Sequence, residues 1–197
     1  MPAEQLSALL LLAIVGSFTP GPNTTIATVT GAHYGVRATV PHMLGVPFGF
    51  ATMLVAGALG ISAAMLATPL LPLAIKWIGI AYLLWIARQI AGSSASATGT
   101  VMRPFSFWQS AAFQFVNPKA WMLTMATVAT FMGDPFSRTR LGLIVLVFVI
   151  AAFASLVLWA AVGAGLREWL AVGTRLRSFN RIMGLMLAAT AGWMAFQ

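Results

Sequence analysis

The sequence predicts an all-α membrane protein of six transmembrane helices, arranged as two inverted three-helix repeats with helices one and four broken. Three observations predict it. Hydrophobic residues make up 60% of the 197 residues and charged residues 7%, whereas a soluble domain carries roughly 25% charged residues. So little charge cannot cover a surface in water, and the solvent that suits this chain is lipid. Six apolar runs reach helix length, and the first and fourth are interrupted near their middles by sequences containing Asn and Pro.

The first run, about residues 6–30, is broken at Thr19-Pro20-Gly21-Pro22-Asn23. The second covers about 40–62 and the third about 71–91, opened by Pro69 and Pro72, since the first turn of a helix tolerates a missing N–H. The Ser/Gly/Thr-rich stretch GSSASATGT is the only low-complexity segment. The fourth run, about 107–132, is broken at Asn117-Pro118-Lys119. The fifth covers about 141–163 and the sixth about 182–196, with a start that can reach back toward Ser178. Six spans at about 20 residues each use about 120 residues, so the chain is a single transmembrane domain over 1–197. Its halves are about 1–92 and 104–197, with a linker about 92–104. The N-terminal MPAEQLSALLLLAIVGSF has no basic leader region and reads as part of the first span rather than as a cleaved signal.

Eleven Lys and Arg against three Asp and Glu give a net charge of +8. In a soluble chain that balance raises nucleic acid as a partner. Here the basic residues lie between apolar runs, which makes them a topology signal and argues against nucleic acid. Loops one, three and five hold Arg37, Arg88, Arg103, Arg167, Arg175, Arg177 and Arg181, while the other side holds Arg138, Arg140 and Lys76. The bias predicts a multi-pass protein of the bacterial inner membrane with loops one, three and five in the cytoplasm and both termini in the periplasm.

The breaks carry the chemistry. Pro20 and Pro22 cannot donate to the carbonyls of Gly16 and Phe18, and Pro118 cannot donate to that of Gln114. A freed carbonyl in lipid costs several kcal/mol unless something satisfies it. Each break is followed by threonines on one helix face: Thr24 and Thr28 after the first, Thr124 and Thr127 after the second. A break in the first helix of each three-helix half is the layout of inverted-repeat secondary transporters, where paired interrupted helices mark the substrate site. Half-helix N-termini near Asn23 and Asn117 present free N–H groups and positive dipole ends, which suit a carboxylate. Lys119 is a cation in mid-span, a position costing about 2.5–3.5 kcal/mol or more and normally facing a cavity. No Asp or Glu lies in a span, since Glu4, Asp134 and Glu168 sit in loops or at ends. The candidate substrate-binding residues are therefore Pro20, Gly21, Pro22, Asn23, Thr24, Asn117, Pro118 and Lys119.

Weaker candidates surround these. His33 and His42 flank the first loop; their ordinary titration range suits proton carriage, but their position reads as interfacial. Gly45 and Gly49 form G-x-x-x-G, and Gly184, Ala188 and Gly192 a small-residue stripe, both suited to helix packing within the monomer. Lys76 reads as snorkelling to the outer interface, and Trp77, Trp85, Trp108, Trp159 and Trp169 as belt residues. The absence of Cys excludes disulfides, thiolate metal sites and thiol redox chemistry. No Asp lies in a span and neither H-E-x-x-H nor G-x-S-x-G occurs, so intramembrane hydrolysis lacks its parts. No enzyme, metal or cofactor is expected. The readings that remain are a secondary transporter for a small solute and a passive channel or pore for small polar solutes. The broken inverted halves favour the transporter.

The same residues carry a resemblance. TPGPNTTIATVTGAHYGVRATVPHMLGVPFG, IKWIGIAYLLWIA, FVNPKAWML and NRIMGLMLAATAG occur in that order. Together they resemble the LysE/RhtB amino-acid exporter family over about residues 5–195. RPFSFWQSAAFQFVNPK looks closest to its cysteine/O-acetylserine branch. The resemblance implies export of amino acids or their derivatives from the bacterial cytoplasm, driven by protons, with Pro20, Gly21, Pro22, Asn23, Asn117, Pro118 and Lys119 as motif positions.

Overall fold

The structure, a computed structural model, describes residues 1–93, 103–133 and 135–196. Most of the expected linker, and Asp134, lie outside the described residues. Among the described residues every regular element is helical. Helices α1 (Ala3–Phe18) and α2 (Pro22–Tyr34) meet at an angle of 50° across the first break. Helix α3 (Val36–Ala56) runs through a π-helical turn, Gly57–Ile61, into α4 (Ser62–Ala67). Helix α5 covers Leu70–Gly92, and α6 (Phe107–Val116) and α7 (Pro118–Phe131) flank the second break. A long α8 (Arg138–Gly165), a single turn α9 (Arg167–Leu170) and α10 (Arg175–Ala195) complete the chain.

Three of the expected boundaries shift. The first loop, expected to hold Arg37, shrinks to Gly35, whose φ of 83° allows the reversal between α2 and α3. The second span runs through the π turn, where Gly60 at φ 114° kinks the helix, and continues past Ser62 to Ala67. The sixth helix starts seven residues earlier than the apolar run, at Arg175 rather than Ile182. Hydropathy sees only the apolar part of that helix, whereas arginine is a good helix former and extends it.

Three helices are long and apolar enough to cross a membrane: Val36–Met65, Leu70–Gly92 and Arg138–Gly165. The bent α1–α2 pair makes a fourth. The other two expected spans, α6–α7 and α10, fall short of that measure. The halves α6 and α7 are short and carry Gln109, Gln114 and Lys119, whereas α10 is 21 residues long but starts with Arg175, Arg177 and Arg181. Large apolar side chains are exposed on all the long helices, Leu11, Leu70, Trp108 and Leu185 among them. Apolar exposure on that scale marks a surface not meant for water.

Packing divides into two main clusters. One joins α2 (Ile26, Val29), α5 (Leu83, Ile86, Ile90), α6 (Phe113) and α10 (Leu187, Ala191). The other joins α1 (Leu9, Ala13), α3 (Phe50, Met53), α7 (Ala120, Trp121) and α8 (Ile144, Phe148). Each broken helix thus gives one half to each cluster, and the breaks lie where the clusters meet. The G-x-x-x-G of α3 packs inside the chain, as expected. A Cβ at Gly45 or Gly49 would run into the carbonyl of Phe107 or Ala111 on α6. Gly184 likewise packs on α5, whereas Gly192 faces open space, so only part of the small-residue stripe is a packing seam. The Lys76 ammonium donates to the Ala195 carbonyl at 3.0 Å, tying α5 to the C-terminus of α10. Trp77, Trp85, Trp108 and Trp169 are exposed as belt residues are, but Trp159 packs inward with its indole N–H enclosed.

Candidate functional site at the helix breaks

The first break is held by local bonds. Thr19 ends α1 by donating its N–H to the Val15 carbonyl at 3.1 Å. Pro20 and Pro22 lack an N–H, so the chain cannot continue as a helix through them. The Thr24 hydroxyl closes the turn, accepting from the Gly21 N–H at 2.8 Å and donating to the Gly21 carbonyl at 2.9 Å. Helix α2 then starts with Pro22 at its first position, where the fixed φ suits a helix. The carbonyls that α1 leaves open find side-chain donors. Ser155 on α8 donates to Ser17 at 2.8 Å, and Lys119 on α7 donates to Thr19 at 3.1 Å.

The second break solves the same problem differently. The Gln114 carbonyl, expected to be freed by Pro118, accepts from the N–H of Asn117 at 3.2 Å in a tighter turn. Asn117 also caps α7, its side-chain oxygen taking the Lys119 N–H at 3.2 Å and its carbonyl the Ala120 N–H at 3.0 Å. The Trp121 indole satisfies the Phe115 carbonyl at 2.8 Å. The two half-helix N-termini therefore differ. The first N–H groups of α7 are already bonded, whereas those of Asn23 and Thr24 on α2 have no partner among the described residues. Of the two termini expected to receive an anion, α2 is the one with free donors.

A cavity of about 60 Å³ opens where the breaks meet, room for a few water molecules. Gly21, Pro22, Asn23, Thr24, Asn117 and Lys119 line it, six of the eight residues predicted from sequence. Pro20 is exposed and instead lines an adjoining, mostly apolar cavity of about 670 Å³ bounded by α7 and α10. Pro118 is buried against Gly79 of α5 and positions the break without lining either space. Lys119 borders both cavities, half-buried, with Thr19 as its partner.

Gln114 and Ser110, which the sequence reading passed over, complete the site together with His42. The Gln114 amide pairs reciprocally with that of Asn23: Asn23 donates to Gln114 at 2.9 Å and Gln114 donates back at 3.2 Å. Gln114 donates a second time to the Ser110 carbonyl at 2.8 Å. His42, expected at the interface, is fully buried, with Nδ1 2.9 Å from the Ser110 hydroxyl and Nε2 3.1 Å from the Asn23 carbonyl. His33 is held apart from the breaks, 3.0 Å from Asn180 at the start of α10. Thr124 and Thr127 are buried on one face, as expected, and their hydroxyls have no partner among the described residues. The signal for Ser110, Gln114 and Asn117 was their spacing of four and three in an apolar run, which sets them on one face.

The family model of the LysE type translocator matches residues 14–197. The chain belongs to the LysE family. Curated members at this similarity include a cysteine/O-acetylserine efflux protein of Klebsiella pneumoniae, 36% identical over 167 residues, or 83% of this chain and 84% of that one. Another is the cysteine/O-acetylserine efflux protein of Escherichia coli K12, 32% identical over 194 residues and 97% of both chains. The Salmonella typhimurium protein of the same name is 30% identical over 189 residues, 94% of this chain and 95% of that one. No solved structure matches. LysE-family membership makes the chain a membrane translocator and not an enzyme, in keeping with its apolar helices. Both breaks and the cavity between them lie inside the matched region.

Proposed function

We propose that this LysE-family protein is a secondary exporter of the bacterial inner membrane that carries amino acids or their derivatives out of the cytoplasm by proton exchange, with cysteine- and O-acetylserine-like solutes as substrates. The observation that carries the reading is the Lys119 ammonium. It crosses from one break to the other, rests on a backbone carbonyl, and borders a cavity that also holds the free N–H groups of α2. Glu4 sits at the exposed start of α1, and among the described residues no acid lines the cavity to neutralise the ammonium. A substrate carboxylate supplies the missing anion, displacing the Thr19 carbonyl, while the ammonium end of the same amino acid meets the amide oxygens of Asn23 and Gln114. The names of the relatives support the choice of substrate.

Alternating access is the motion that a pairing of the halves supports. Helix α3 packs on α6 as α8 packs on α1, α2 packs on α8 as α7 packs on α3, and α5 pairs with α10. These paired contacts support two inverted repeats. The same reading makes α6–α7 and α10 the remaining two of six spans.

The test is uptake of labelled O-acetyl-L-serine and L-cysteine into inside-out membrane vesicles from cells producing the protein. A proton gradient, acid inside, is expected to drive accumulation above that of vesicles lacking the protein, and a protonophore to abolish it. No transport of any amino acid, with the protein in the membrane, would overturn the reading.

A further inference from the structure

His42 is fully buried in the second turn of α3, directly behind the cavity, and binding of a carboxylate at Lys119 makes no use of it. Its two bonds define its possible charge states. The Asn23 carbonyl, 3.1 Å from Nε2, can only accept, so Nε2 carries a hydrogen whether the ring is neutral or charged. Nδ1 lies 2.9 Å from the Ser110 hydroxyl, and that hydroxyl lies 2.9 Å from the Ser106 carbonyl. The hydroxyl has one proton and two acceptors to choose from. When the ring is neutral, Ser110 donates to Nδ1. When the ring is charged, Nδ1–H donates to the Ser110 oxygen and the hydroxyl turns to Ser106. One hydroxyl rotation therefore satisfies both charge states with no heavy atom moving. A histidine that served packing alone would need only one of them.

Few charges surround this ring. Phe105 lies against it in a T-shaped contact, ring centres 6.0 Å apart. Helix α6 has no ionisable side chain, and α7 has Lys119 alone. On α2, His33 and Tyr34 are at the far end, and on α8 Arg138 and Arg140 are at the start. Arg37 lies at the start of α3 itself. Among the described residues Lys119 is the only charged one lining the cavity, so a proton at Nδ1 would place a second positive charge beside Asn23.

We infer that His42 is the proton-binding residue of the exporter, taking a proton at Nδ1 and surrendering it when the ammonium end of an amino acid occupies the cavity beside Asn23 and Gln114. The inference rests on the exporter reading above. Two cations this close in a weakly screening interior repel, so the proton and the amino acid exclude each other. Linkage makes the exclusion mutual: substrate binding expels the proton, and protonation expels the substrate. Mutually exclusive occupancy of one site is what an exchanger needs.

The test uses the purified full-length protein in detergent, unbuffered, with pH-indicator dyes, at a series of pH values from about 4 to 8. Binding of O-acetyl-L-serine, followed separately by calorimetry, is expected to release up to about one proton per amino acid bound. His42→Gln keeps an N–H for the Asn23 carbonyl but cannot take a charge, and is expected to bind with no release. Its accumulation driven by a proton gradient should fall at least about tenfold, one power of ten being 1.4 kcal/mol. Release equal to wild type in His42→Gln, or wild-type binding without release, would overturn the inference and leave the exporter reading standing. Absence of any binding by wild type would overturn the exporter reading itself. Should His42→Gln not fold, ¹⁵N-histidine NMR of His33→Gln decides, because His42 is then the only histidine. Nδ1 should gain a hydrogen on acidification and lose it when substrate is added. A ring with an unchanging Nδ1 under both conditions would overturn the inference.

Discussion

Lys119 and its partner Thr19 are 100 residues apart in sequence, yet the bond between them joins the two breaks. Hydrogen bonds to a charged group contribute about 1.5–3 kcal/mol, which is about tenfold to a hundredfold in affinity. Lys119→Met should therefore raise the half-saturating amino-acid concentration by about that factor in vesicle transport. Lys119→Arg, which keeps the charge but alters the donor geometry, should keep part of the affinity. Wild-type affinity in the Met variant would remove Lys119 from the site. The Asn23–Gln114 pair makes a separate prediction. Asn23→Ala leaves the buried Gln114 amide short of partners and should cost about 1–3 kcal/mol, read as a lower unfolding temperature in detergent. Replacing both residues with apolar ones of similar shape should recover most of that stability without recovering transport. The residues that sequence revealed here are those that break a pattern, such as Pro20 or Lys119 in an apolar run. His42 and Ser110 were not legible as partners, because each is unremarkable in its own helix and 68 positions separate them.

At the scale of elements, the breaks were legible because proline removes a donor wherever it stands. What proline could not foretell was how each break is repaired. The second uses the N–H of Asn117 itself, and the first borrows Ser155 and Lys119 from other helices. Pro118→Ala restores a donor at the first position of α7 and should favour a straighter α6–α7. The variant should insert and fold but export more slowly, as transport rates normalised to protein in the membrane would reveal. Full activity would mean that the second break serves packing alone. A close helix crossing holds the first break. Gly163 of α8 lies so near α2 that an added Cβ would meet the Thr28 carbonyl, which is backbone and cannot turn aside. Gly163→Ala should therefore destabilise the protein by about 1–3 kcal/mol, the usual cost of overpacking, again seen as a fall in unfolding temperature. An unchanged unfolding temperature would mean that α2 can shift freely away from α8.

For the whole molecule, the all-helical class was legible and the number of spans less so. Apolar length alone reaches four, because the segments that carry the site and the basic start of α10 are the least apolar. Orientation rests on the seven-to-three split of basic residues. Reporter fusions after Gln197 and near Asp134 should read periplasmic, and fusions near Ser96 and Gly173 cytoplasmic; a cytoplasmic C-terminus would contradict six spans. The central claim is that the breaks form one substrate site, exposed to one side of the membrane at a time. Counterflow in proteoliposomes tests it most directly. Purified protein is reconstituted, the lumen is loaded with unlabelled O-acetyl-L-serine, and entry of the labelled compound is followed with no ion gradient present. The account predicts transient accumulation of label above its external concentration, faster than in unloaded vesicles. Equal entry into loaded and unloaded vesicles, without accumulation, would contradict it and mark the protein as a passive pore.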